Sequence, residues 1–275
     1  DWYNQDSIQI PDRSEKSLEE IPNPAARSLR TTQNSVLLDD ETAREIKEAY
    51  YSTISFVDAQ VGRVLDKLES TGLDKNTIVV FISDHGYHLG EHGHWQKQTL
   101  FENATKVPLM ISIPGMEGVH RCDSPVELLD LYPTLMDYTD IEPPSHVVGR
   151  SLRPIISGQK QSIRDGAITQ YRKGISLRTS RYRITKWGEN AATDFELYDH
   201  HTDSQELHNL ARDSSYFDLL DSLRTALELR AVELGKKPEG LGRQFEDIRP
   251  MFRAPNITKG DSVNVQANIT YSKST

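Results

Sequence analysis

From Asp40 to Thr71 the apolar positions return at helical spacing: Ile46, Tyr50, Ile54, Val57, Val61, Val64, Leu65 and Leu68 share a face, and Gly72 supplies a stop. Asp39 or Asp40 precedes Glu41-Thr42-Ala43 as a cap, with acidic residues at the positive end of the helix dipole. The pattern then changes. Thr77-Ile78-Val79-Val80-Phe81-Ile82 is an uninterrupted, mostly β-branched run between Asn76 and Gly86, as expected of a strand buried on both faces of an α/β sheet. A second such run, Val107 to Ile113, ends at Pro114-Gly115. Ser124-Pro125-Val126-Glu127 has the form of a capping box with proline at the first helical position, opening a helix toward Tyr138 that Pro133 should kink.

Pro143-Pro144 and Gly149 mark a linker, and beyond it the period becomes two. Ala167 to Tyr171, Gly174 to Thr179, Arg181 to Trp187 and Phe195 to Tyr198 alternate polar and apolar residues, with Asn190 in an intervening turn, which predicts an antiparallel meander. A helix over about Ser214 to Leu234, with Phe217, Leu220, Leu223, Leu227 and Val232 as its apolar stripe, would cover one face. Residues 1–38, polar and dotted with Pro11, Pro22 and Pro24, read as an extended surface segment. Val263 to Tyr271 has the composition of one further strand. The organisation expected is 1–145 as part of an α/β domain, 146–235 as a small subdomain, and 236–275 as an unassigned extension.

Composition narrows the function classes. A net charge of −9 argues against nonspecific nucleic-acid or membrane binding. No run reaches the roughly eighteen apolar residues of a membrane span. The single cysteine, Cys122, excludes an internal disulfide framework, and without an activating neighbour it reads as an inert structural or surface thiol. Sequons occur at Asn103, Asn256 and Asn268.

Chemistry concentrates directly after the first apolar run. Ser83-Asp84-His85-Gly86-Tyr87-His88-Leu89-Gly90-Glu91-His92-Gly93-His94-Trp95-Gln96-Lys97 brings Asp84, four histidines and Lys97 into one loop. Sites in open α/β sheets form beyond the carboxyl ends of strands, where Asp84 and His85 emerge. A hard divalent cation with oxygen ligands can neutralise the oxygens of an anionic ester, and Asp84 is a suitable ligand. An ammonium such as that of Lys97 can offset charge on a leaving group. His88 is expected at the surface, and Trp95 is expected to pack the loop.

This loop resembles the second metal-binding motif of the type I sulfatases, in the branch that includes iduronate-2-sulfatase, whose pattern S-D-H-G-x-x-L-G-E-H-G-x-W-x-K it matches at every fixed position. The likeness continues in Asp58-Ala59-Gln60-Val61-Gly62-Arg63, Phe101-Glu102, Val107-Pro108-Leu109, Asp130-Leu131-Tyr132-Pro133-Thr134-Leu135, Gly149-Arg150-Ser151-Leu152, Glu196-Leu197-Tyr198-Asp199 and Glu206-Leu207-His208-Asn209-Leu210. The resemblance implies part of a sulfatase/alkaline-phosphatase-like sheet sandwiched by helices, followed by a small antiparallel-sheet plus helix subdomain. It implies Ca²⁺ held by Asp84 and His85, with His85 where other sulfatases carry Asn, and a sulfate contact from Lys97. His92 belongs to the motif as a loop-holding or substrate-binding residue, and His94, at a variable place, is a candidate for lining the substrate pocket. The implied substrate is a sulfate monoester of a sulfated carbohydrate of the glycosaminoglycan kind, and the implied setting is periplasmic, secreted or lysosomal.

The family's formylglycine nucleophile, made from a C/S-x-P-x-R motif, and its early aspartate pair have no counterpart. Cys122 is followed by Asp123-Ser124-Pro125, with proline one place too far, and Asp39-Asp40 is a helix start. The chain thus resembles the carboxyl-terminal half of a sulfatase, expected to lie after its nucleophile, to need the amino-terminal half as partner, and to be inactive alone. The alternatives are a phosphomonoesterase or phosphonate monoester hydrolase of the same superfamily, or a non-catalytic, truncated sulfatase-like binding module.

Overall fold

A computed structural model describes residues 2–11, 19–29, 38–118, 120–188 and 194–235, and Asp1–Gly235 forms one compact unit. The proposed strand at 263–271, the turn at Asn190 and the sequons at Asn256 and Asn268 lie outside the described residues.

Helix α1 (Asn23–Leu29) corrects the expectation of an extended surface segment. Its Ala25 and Leu29, with Ile21, pack against Leu100, Phe101, Trp187 and Tyr198 in one of two apolar cores. Small and aliphatic side chains at i and i+4 place two contacts on one helix face, which the surrounding prolines obscured. Helix α2 (Asp40–Ser70) begins where the pattern places it: the Asp39 carboxylate accepts from the Thr42 backbone N–H and hydroxyl at 2.9 Å each. Gly72, at φ 70°, ends it in the left-handed conformation that glycine adopts without strain. Much of the stripe expected to face a core is uncovered: Ile54, Val57 and Val64 are 51%, 54% and 68% exposed, whereas Tyr50, Val61 and Leu68 are half-buried.

Strand β1 (Val79–Ile82) pairs antiparallel with β2 (Leu109–Ser112), Val79 opposite Ser112 and Ile82 opposite Leu109. Between them in sequence lies a one-turn helix, α3 (Glu102–Thr105). β1 is half-buried rather than enclosed on both faces, with Phe81 and its partner Met110 on β2 exposed.

The next helix start is displaced from the expected position. The capping box is formed by Glu127 and Asp130 rather than Ser124 and Glu127, opening a short 3-10 turn (Leu128–Asp130) that leads into α4 (Leu131–Tyr138). Pro133 therefore falls in the first turn, where its missing N–H costs no intrahelical bond, and no kink is required. The segment read as a linker is docked: a Cβ on Gly149 would lie 2.0 Å from the Leu129 carbonyl oxygen, so only glycine fits. A single turn, α5 (Arg153–Ile156), follows.

The meander is as expected: β3 (Gly166–Tyr171), β4 (Gly174–Thr179), β5 (Tyr182–Trp187) and β6 (Phe195–Asp199) form one antiparallel sheet in sequence order. Helix α6 (Phe217–Leu234) packs Leu220, Leu223 and Leu227 on Leu177, Ile184, Phe195 and Leu197, the second core. The ends of its predicted stripe, Phe217 and Val232, point outward.

Two buried ion-pair lattices tie this sheet and helix to the preceding elements. In one, Arg164 pairs with Glu127 and Asp130, and Arg230 of α6 reaches Glu127 at 2.6 Å. In the other, Arg183 of β5 pairs with Glu206 and with Glu102 of α3.

Candidate metal and sulfate site

The chain leaves β1 at Ile82 and turns at once. Asp84 presents its carboxylate to solvent, with 84% of the side chain exposed, and His85 is about one-third exposed beside it. The His85 Nδ1–H donates to the Gly86 carbonyl at 2.9 Å, because a carbonyl can only accept. This assigns the neutral ring's lone pair to Nε2, which sits 3.5 Å from Asp84 Oδ2. Two ligand atoms each ~2.4 Å from one cation and at right angles to each other are about 3.4 Å apart, so the pair can share an ion. A ring oriented by a backbone carbonyl through its other nitrogen is the usual arrangement of a metal-bound histidine. As ligands, Asp84 and His85 would fill two positions of a shell that for Ca²⁺ needs roughly six to eight.

Gly86 fixes the turn. Its N–H donates to the Ala104 carbonyl at 2.8 Å, and a Cβ there would lie 2.0 Å from the Asn103 carbonyl oxygen. The remaining loop closes on itself, His88 N–H to the Gln96 carbonyl at 2.8 Å and Gly90 N–H to the His94 carbonyl at 2.9 Å. Gly90 (φ 110°), His92 (φ 55°) and Gly93 (φ 66°) turn the backbone through the left-handed region, and the Trp95 ring packs over Gly90 as the sequence suggested.

The histidines divide into two groups. His88, expected at the surface, is fully buried: its Nδ1–H donates to the Glu91 carbonyl at 3.3 Å and its Nε2 accepts from the Thr99 hydroxyl at 2.8 Å. His92 is 1% exposed and stacks on Phe101, centroids 4.1 Å apart, and His94 is 2% exposed with its ring edge against His88. In this arrangement His92 and His94 face the loop's interior, whereas Asp84, His85 and the exposed Lys97 face outward. Burial and the neighbouring imidazoles of His94 and His92 push His88 down to about 3, and burial likewise lowers His92, so both are neutral packing groups at physiological pH. Cys122 is exposed and unbridged, which places it at the surface, one of the two settings expected for it.

Sequence reasoning missed the charged lattice beneath the loop. Glu102, His200 and Glu206 bring ligand-type atoms within 4.8 Å of one another. The Arg183 guanidinium lies between the two carboxylates, donating Nε–H to Glu206 and Nη2–H to Glu102, with Ser176 and Thr105 hydroxyls accepting from its other positions. Arginine already supplies the positive charge a cation would bring, so the cluster is an ion-pair lattice. Burial pushes the Glu206 carboxyl up, but Arg183 and the His200 hydrogen bond outweigh it and hold the group at about 2. The available signal was that Phe101-Glu102 and Glu206-Leu207-His208-Asn209-Leu210 both lay in segments marked by the resemblance.

Behind Phe101, burial raises Glu196 to about 7 although Trp187 Nε1–H and the Tyr198 hydroxyl both hydrogen-bond it, at 2.6 and 2.8 Å. A carboxyl whose folded value exceeds its unfolded value of 4.5 stabilises the fold below pH 4.5, and that contribution is lost as pH rises through 7. Relative to Glu196→Gln, the wild-type protein should therefore gain stability on acidification from pH 7 to 4.5, by up to about 1.4 kcal/mol per pH unit. Urea unfolding of both proteins across that range checks this, and a difference independent of pH would show that Glu196 ionises normally.

Known proteins share this architecture. The sulfatase family model matches residues 10–141, and the model of the N-sulphoglucosamine sulphohydrolase C-terminal region matches residues 90–233. A sulfatase of Formosa agariphila is 33% identical over 235 residues, covering 82% of this chain and 45% of that protein. Among solved structures, a 2-O GAG sulfatase aligns with a TM-score of 0.70 at 28% identity, covering 83% of this chain and 53% of the other. A phosphonate monoester hydrolase from Silicibacter pomeroyi aligns at 0.74 and 27%, covering 84% and 52%. The chain spans about half the length of the relatives it matches.

Proposed function

The chain belongs to the sulfatase family, and from this we propose that it supplies one wall of a metal-assisted sulfuric ester hydrolase site acting on a sulfated carbohydrate. The carrying observation is the end of β1, where Asp84 Oδ2 and the lone-pair nitrogen of His85 lie 3.5 Å apart and face solvent. A Ca²⁺ bound there would neutralise nonbridging sulfate oxygens. The other tasks of the described residues follow from their positions. Asp84 brings the negative charge and His85 a directed nitrogen donor. Lys97, exposed on the same loop, meets the sulfate and the ester oxygen. His92 and His94 are positioning residues that hold the loop from inside.

The covalent step needs a nucleophile, and the 275 residues contain no C/S-x-P-x-R motif. We assign that step to a formylglycine outside this sequence, on an amino-terminal partner segment that also completes the metal shell and covers the exposed face of α2 and Phe81. By itself the chain should be inactive toward sulfate esters. The carbohydrate assignment draws on the likeness to a 2-O GAG sulfatase, and a periplasmic, secreted or lysosomal setting is proposed from membership of the sulfatase family. The second reading is a phosphonate or phosphate monoester hydrolase, favoured by the fold likeness to the Silicibacter enzyme; paired assays with an aryl sulfate and an aryl phosphonate separate the two.

In the full-length enzyme, Asp84→Asn should remove the shell's charged ligand here, so that Ca²⁺ affinity and turnover fall together while the melting temperature of the metal-free protein stays put. Calorimetric Ca²⁺ titration of both proteins is the test. An unchanged affinity would sink the ligand assignment.

A further inference from the structure

We propose that Glu206 is a positioning residue for the metal-binding end of β1: through α3 it holds Gly86, and through Gly86 the ring of His85. The inference rests on the reading of Asp84 and His85 as metal ligands. Glu206 lies in the turn after β6, far in sequence from the loop it would control, and is 1% exposed. Its two carboxylate oxygens do different work. Oε1 accepts from Arg183 Nε–H and from His200 Nε2–H at 2.8 Å, both on the meander side. Oε2 accepts from the Glu102 backbone N–H at 2.7 Å, the first residue of α3. The Glu102 side chain returns to Arg183, so the start of α3 is gripped by backbone and side chain together.

From α3 the path continues by direct contact. The Ala104 carbonyl accepts from Gly86 N–H at 2.8 Å, and the Asn103 carbonyl packs so closely that Gly86 tolerates no Cβ. The Gly86 carbonyl in turn receives His85 Nδ1–H, the bond that leaves Nε2 as the lone-pair nitrogen beside Asp84. Every link is a single hydrogen bond or a rigid helical turn, so tilting α3 displaces the acceptor that sets the imidazole's tautomer. The backbone of Glu206 is itself in the left-handed region, φ 58°, a conformation that disfavours a side chain bearing a Cβ by about 1–2 kcal/mol. Such a conformation persists where surrounding bonds over-determine it, as the contacts of this carboxylate do.

The test compares Glu206→Gln with the wild type in long-range ¹H–¹⁵N spectra of ¹⁵N-histidine protein and in amide exchange at Gly86. The variant keeps an oxygen for one partner but turns an NH₂ toward Arg183 or toward the Glu102 N–H, both donors. In the wild type His85 should be a single Nδ1–H tautomer. In Glu206→Gln it should become a tautomer mixture, and exchange at Gly86 should quicken by roughly tenfold or more, as for losing one hydrogen bond to a charged group. Arg230→Gln, which breaks the other lattice in the same subdomain, should lower stability and leave both signals unchanged; if it moves them equally, Glu206 is only one of many stabilising residues and the inference fails. It also fails if Glu206→Gln folds and leaves His85 and Gly86 as they were. Arg183→Lys, which keeps the buried charge and removes only the guanidinium fork, takes its place if Glu206→Gln does not fold. A wild-type His85 already mixed in tautomer, or a Ca²⁺ affinity indifferent to Asp84→Asn, would instead overturn the underlying ligand assignment.

Discussion

Arg183→Met is expected to lower the stability of the protein by about 3–5 kcal/mol, the scale for breaking a buried ion pair from one side. The reason lies in what remains. Arg183 is 1% exposed and its guanidinium is shared by the Glu206 and Glu102 carboxylates, so methionine would leave two acids facing each other with their counter-charge gone. Burial raises the energy of a charge steeply, and the nearby Arg178, 3.1 Å from Glu102, compensates only that partner. Adding Glu206→Gln to Arg183→Met should return part of the loss, because one stranded charge is then removed. Urea midpoints of the single and double variants give the measurement; a loss below about 1 kcal/mol would mean that the lattice is a minor contributor.

In the full-length enzyme, Lys97→Ala is expected to reduce turnover by ~10²–10³, the scale for removing one preorganised electrostatic contact with charge that grows in the transition state. KM should change less, since the ground-state sulfate is also held by the metal. Lys97 is exposed and follows a loop whose backbone is locked by its own hydrogen bonds, so alanine there removes an ammonium without removing a packing contact. A variant with near-normal kcat would make Lys97 a solvated loop residue and shift the leaving-group role elsewhere.

The parts of the fold that were legible in the sequence are those governed by near neighbours. Asp39 caps a helix through a residue three positions on, the meander's alternation is a property of each strand alone, and Gly72 stops α2 through its own φ. The juxtaposition of Asp84 and His85 was legible for the same reason: they are adjacent, and a strand end places them by itself. Errors arose where a residue's setting depends on distant chain. His88 read as surface because imidazole is polar, yet Thr99 and the Glu91 carbonyl satisfy both of its nitrogens and Phe101 closes over it. The segment around α1 read as extended because it is polar and dotted with prolines, yet Ala25 and Leu29 find a core built from Leu100, Phe101, Trp187 and Tyr198.

By itself the sequence determined the long helix, the four-strand meander, the family likeness and the pairing of Asp84 with His85, because each is written in spacings of a few residues. Only the tertiary structure decided which histidines face inward, that Gly86 is pinned by Asn103 and Ala104, and that Glu102, Arg183 and Glu206 meet. The physical reason is desolvation. A lone glutamate or arginine is driven to the surface, so sequence alone places it there, and it becomes an interior residue only once a partner dozens of positions away offsets the cost of leaving water.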